Sequence, residues 1–142
     1  MKKIERKIFT ISNLSISLIG VLYFIFKYFF KTQTGFGQRP HELTASFLHL
    51  HIISVPILVV LFGYLLPVHI LPKLRNSKSS RKKSGLFILT LMILMTITGY
   101  LLQVNLKSNN IIAISHIVIS GLWIIGYLWH FRLRTWSCLP VL

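Results

Sequence analysis

Four long apolar stretches, at 8–30, 43–66, 86–104 and 111–131, constrain this chain more than any other feature. Each runs 19 to 24 residues, and a helix needs about 20 to cross the hydrocarbon of a bilayer. One such stretch could be a buried core helix. Four cannot be, because a chain of 142 residues has too little interior to hide them. Only 13% of the residues are charged, against about 25% in soluble domains, which excludes an ordinary water-soluble enzyme. The expected fold is all-α: an integral membrane four-helix bundle forming a single transmembrane domain over 1–142. The first stretch follows a basic N-terminus but is long for a signal peptide. It also lacks a small-residue cleavage site before Lys31, so it counts as a span.

Charge sets the orientation. Sixteen Lys and Arg stand against two acids, Glu5 and Glu42. Lys2, Lys3, Arg6 and Lys7 precede the first span. Lys73, Arg75, Lys78, Arg81, Lys82 and Lys83 lie in the long connection at 67–85, and Arg132 and Arg134 follow the last span. The other four, Lys27, Lys31, Arg39 and Lys107, lie on the opposite side or at its helix ends. The positive-inside rule then places both termini and the long connection in the cytoplasm. These blocks do not form a groove-binding pattern, so no nucleic-acid partner is expected. The basic connection suits attraction to anionic lipid, at about 1 kcal/mol per residue near the surface. Docking of an acidic redox partner is the alternative.

The single cysteine, Cys138, excludes an internal disulfide framework and a zinc site of paired thiolates. No C-x-x-C-H occurs, which excludes covalent haem attachment. The spans leave no room for a soluble catalytic domain, so any chemistry belongs between the helices or on a partner chain.

Strongly polar side chains inside spans are costly and point to function. The chain has six histidines: His41, His49, His51, His69, His116 and His130. His41, beside Pro40, reads as solvated. His116 and His130 are 14 residues apart, which is about 21 Å along an α-helix and within about 40° of one face. His51 and His69 are 18 apart, five whole turns and about 27 Å, so they too share a face. His49 points nearly opposite to His69. The second and fourth spans run in the same direction, which puts His51 and His116 near the outer end and His69 and His130 near the inner end. Opposed imidazoles at two depths are what axial ligation of two haems b requires. In the third span Gly85 and Gly99, again 14 apart, would give a porphyrin edge a backbone without Cβ. Trp123, midway between the two histidines of the fourth span, could fill the gap between porphyrins.

Taken singly, each feature has a plainer reading. Histidines bridge helices by hydrogen bonds, glycines serve close packing, and Trp123, Tyr127 and Trp129 could be packing or interfacial aromatics. The 18-residue spacing exceeds the 14-residue one by about 6 Å. A tilt, a kink at Pro56 or a break at Pro67 could absorb the difference. Otherwise His69 does not ligate and one haem remains.

With H-x13-H on the fourth span and G-x13-G on the third, the chain resembles the four-helix haem core of the cytochrome b family. It also resembles small four-helix bacterial di-haem membrane proteins of that type. HLH at 49–51 with Pro56, RKKSGL at 81–86, TGYLLQ at 98–103, and His116 through Trp123 and Tyr127 to His130 carry the likeness. It implies His51 and His116 on one haem iron, His69 and His130 on the other, and Gly85 and Gly99 against the porphyrins. It also implies residence in the bacterial inner membrane, a link to quinone or quinol, and a partner redox protein or larger respiratory complex. The pattern departs from that family in the longer His51–His69 spacing. It departs again in the first span, which has Gly20 but no second matching glycine.

The function expected is electron transfer across the bilayer through two haems b. Two rivals come from other classes. A metal-handling protein could use His49, His51 and His116 for copper or zinc, although transport cycles commonly use intramembrane carboxylates and none is present. A cofactor-free accessory subunit would use its histidines only to bridge helices.

Overall fold

The computed structural model describes residues 2–35, 37–76, 82–104 and 110–136, with the backbone alone at 34 and from 131 onward. Lys78, Arg81, Lys107 and Cys138 fall outside the described residues. Helix α1 (Lys3–Tyr28) leads into a two-stranded antiparallel hairpin, β1 (Lys31–Thr34) and β2 (Gly37–Pro40). Helix α2 (Leu43–Leu65) runs without a break through a π-helical turn (Leu66–Ile70) into the short α3 (Leu71–Arg75), and α4 (Lys82–Val104) and α5 (Asn110–Trp136) follow. Four helical segments are long and apolar enough to cross a membrane: Lys3–Tyr28, Leu43–Arg75, Lys82–Val104 and Asn110–His130.

Several boundaries differ from those read in the sequence. Helix α1 begins before the apolar stretch, because Glu5 in its first turn accepts the Lys2 N–H at 2.7 Å and complements the helix dipole. The second span continues past residue 66 to Arg75, so Lys73 and Arg75 ride on helix rather than loop. Pro67 has no N–H to give an α-helix, and the wider hydrogen-bond spacing of a π-turn absorbs the loss without ending the helix. The first connection forms a hairpin in register Lys31↔Pro40 through Thr34↔Gly37. Gly37 has φ +114°, a conformation that a side chain would strain.

By contacts the chain divides into two compact units, residues 1–69 and 70–142. In the first, α1 packs on α2. Phe9, Asn13 and Ile16 are buried along α1 at helical spacing, with Gly20 next on the same stripe. On α2 the buried Leu58 and Leu65 continue at seven-residue steps from His51. Phe26 ties together the end of this unit next to the hairpin, with its ring 5.2 Å from Phe47 in a stack and 5.2 Å from His41.

The second unit is an antiparallel pair, α4 against α5. Helix α4 presents two adjacent stripes at seven-residue steps, Ser84–Leu91–Thr98 and Gly85–Met92–Gly99, in which Leu91 and Met92 are buried. Helix α5 presents His116, Trp123 and His130, also seven apart, and Trp123 is the most buried large side chain, 2% exposed.

Candidate functional site

The α5 histidines are held by hydroxyl groups of α4. Thr98 Oγ1 lies 3.0 Å from His116 Nδ1, and Ser84 Oγ lies 3.1 Å from His130 Nδ1. Both hydroxyls are 14 residues apart, as are both imidazoles, so one contact is repeated at two levels of one antiparallel pair. The Thr98 hydroxyl also lies 2.9 Å from the Leu94 carbonyl and 3.1 Å from that of Met95, and an oxygen held against Nδ1 fixes the orientation of the imidazole ring.

Glycine makes the approach possible. A Cβ at Gly99 would stand 3.2 Å from His116 Cε1, so only a bare backbone lets the ring sit this close. Gly99 thus faces the imidazole, where the sequence suggested a porphyrin edge. Among the described residues, a Cβ at Gly85 would meet nothing within 4 Å. Trp123 lies between the two histidines along α5 and stacks on Tyr127, ring centroids 6.2 Å apart at 25°.

The first unit holds a parallel arrangement. A Cβ at Gly20 would be 3.0 Å from His51 Cε1 and 3.3 Å from Nδ1, and the ring also lies against the Ile16 backbone. His51 Nδ1 is shielded from water, and the backbone carbonyl of Ile16 is the polar group set against the ring. His49 is exposed on the other side of α2.

His69 stands apart from this pattern. The position 14 residues after His51 on the α2 stripe is Leu65, which is buried, while His69 falls in the π-turn Leu66–Ile70. An i→i+5 turn holds an extra residue, so the five-turn reckoning that aligned His51 with His69 applies only through Leu65. His41 is not simply solvated. Its Nδ1 accepts the Leu43 N–H at 3.2 Å and its carbonyl accepts the Thr44 N–H at 2.9 Å, so it caps α2.

Sequence reasoning passed over Ser84, Thr98 and Asn13. The first two were readable as the residues just before Gly85 and Gly99. Asn13, 1% exposed in the middle of a long apolar helix, was readable as its one strongly polar interior position. Among the described residues no three His, Cys, Asp or Glu side chains gather as a metal-ion cluster. No family model, no curated protein and no solved structure matches this chain.

Proposed function

We propose that this chain is a b-type cytochrome subunit of the bacterial inner membrane, spanning it four times with both termini in the cytoplasm. His51, His69, His116 and His130 would be the residues that hold two haems b. The observation that carries the reading is the repeated hydroxyl–imidazole pair. Thr98 and Ser84 each place a hydroxyl oxygen against the Nδ1 of an α5 histidine, the kind of outer partner that orients a ligating imidazole. The shielded imidazole of His51, set against the bare backbone of Gly20, supports the same use in the first unit. No more than 17% of the most apolar window of any span is buried, and apolar surface on this scale suits lipid rather than water.

Haem b held by these histidines would supply one-electron transfer. The chain's own residues do the rest. Thr98 and Ser84 fix ring orientation, the apolar stripe of Leu91, Met92 and Trp123 excludes water, and the open backbone at Gly85 admits a flat ring edge. The subunit would exchange electrons with quinone or quinol and a partner redox protein.

The test is a reduced-minus-oxidised absorbance spectrum of the purified protein, with haem counted as pyridine haemochrome. Two low-spin haems b per chain are expected. One per chain would remove His69 from the ligand set. None, in protein made with ample haem, would refute the cytochrome reading in favour of an accessory subunit.

A further inference from the structure

The second unit carries an apolar groove beside its histidine stripe. About 350 Å³ of space lies between Phe87 and Ile88 of α4 and Leu122, Ile125, Gly126 and Trp129 of α5. Ser84 also lines it, with its hydroxyl engaged 3.1 Å from His130 Nδ1, so the wall offered to a ligand is hydrocarbon and aromatic carbon. A Cβ at Gly126 would already touch Phe87 Cε1 at 3.5 Å and Ile88 Cγ1 at 3.8 Å, so a longer side chain there would occupy the space. The α5 wall from Leu122 to Trp129 covers seven residues, about 10 Å of helix, which suits a stretch of acyl chain lying along it.

One end of the groove is charged. Lys83 stands exposed in the first turn of α4, four residues before Phe87 and within about 40° of the same face. Lys82 is equally exposed but lies about 140° from Phe87 around the helix. Trp129, 67% exposed, precedes His130, whose ring the Ser84 hydroxyl meets, so the indole stands at this same end. Lys73 and Arg75 are exposed on α3, which packs on α4. Both acids of the chain, Glu5 and Glu42, belong to the first unit, so residues 70–142 hold no acidic side chain to balance these cations. Glu5 is in any case engaged, by the Lys2 N–H and the Tyr64 hydroxyl. In a bilayer, Lys83 and Trp129 fall at the ends of their spans, the level where basic side chains and indoles gather and where basic sites between helices take anionic headgroups.

We infer that the groove between α4 and α5 holds an acyl chain of an anionic phospholipid whose phosphate pairs with Lys83. The glycerol region lies against Trp129, and the chain follows Ile125 and Leu122 past Gly126. A zwitterionic headgroup fits less well, because this unit has no carboxylate side chain for its ammonium. The inference rests on the membrane-spanning part of the reading above and is independent of its haem.

The experiment is native mass spectrometry of the detergent-solubilised full chain titrated with phosphatidylglycerol, phosphatidylethanolamine or soluble glycerophosphoglycerol. Haem is counted on the same sample, so failure here is distinct from failure of the cytochrome reading. Phosphatidylglycerol is expected to bind about fivefold more tightly than phosphatidylethanolamine, the worth of one cation near the surface. Lys83→Gln should abolish that preference, whereas Lys82→Gln, with the same loss of charge one residue away, should keep it. Both lysines are exposed, so neither variant disturbs packing. Gly126→Leu, with helical circular dichroism retained, should weaken both lipids severalfold by filling the groove. Equal binding of the two lipids by the unaltered chain would overturn the inference. So would equal losses in Lys83→Gln and Lys82→Gln, which would mean attraction to net charge without a site, or soluble glycerophosphoglycerol binding as tightly as the lipid.

Discussion

Replacing Thr98 with Val keeps the shape of the side chain and removes only the oxygen 3.0 Å from His116 Nδ1. The α4 backbone loses little, because the hydroxyl's bonds to the Leu94 and Met95 carbonyls duplicate helix acceptors that are already used. The imidazole loses more. With Nε2 on iron, as proposed, Nδ1 carries the proton, and it is left without an acceptor in a half-buried site, which costs about 1–3 kcal/mol. Since about 1.4 kcal/mol is tenfold, this agrees with the roughly 10–100-fold weakening seen when the outer partner of a ligating histidine is removed. Loss of the acceptor also makes the imidazole a weaker base and so a poorer partner for oxidised iron. The midpoint potential of that haem should therefore rise, by about 20 mV for each 0.5 kcal/mol of difference between oxidation states. The assay is a potentiometric titration of the haem absorbance in purified Thr98→Val, with haem counted per chain and Thr98→Ser as the rescue. One component of the titration should shift upward or lose occupancy, the other should stay in place, and Ser should restore the first. Ser84→Ala should move the other component, because its oxygen serves His130. If both components keep their potential and occupancy in Thr98→Val, the hydroxyl does not act on a ligand and the reasoning fails.

His116→Ala should remove about half of the bound haem and leave the rest with an unchanged spectrum; unchanged haem content would take His116 out of the site. Gly99→Leu should drive the His116 ring from its place, since even a Cβ would stand 3.2 Å from Cε1. Haem loss with retained helical circular dichroism is expected, and full haem retention would refute it. Trp123→Ala, at 2% exposure, should destabilise the α4–α5 unit by about 3–5 kcal/mol. The readout is thermal unfolding in detergent, and a shift of less than a degree would show that the stripe is not the packing core.

Much of this protein is legible in one dimension. Hydropathy alone marks four segments as spans, because apolar length is a local property and lipid imposes one minimum on it. The 14-residue intervals are equally local: the α-helix repeats closely enough over four turns that His116 with His130, and Gly85 with Gly99, share faces before any partner is known. What those faces meet is not local. That Gly99 receives the His116 ring, that Thr98 and Ser84 supply the acceptors, and that Gly20 receives His51 depend on the register between segments far apart in the chain. Only packing of one helix against another sets that register. His41 as a helix cap and His69 in a π-turn likewise follow from how the backbone spends its hydrogen bonds around residue 43 and at Pro67. Periodicity predicts which residues stand in line along a helix, and tertiary structure decides which atoms they touch, since contact is a property of two surfaces and a sequence pattern describes one.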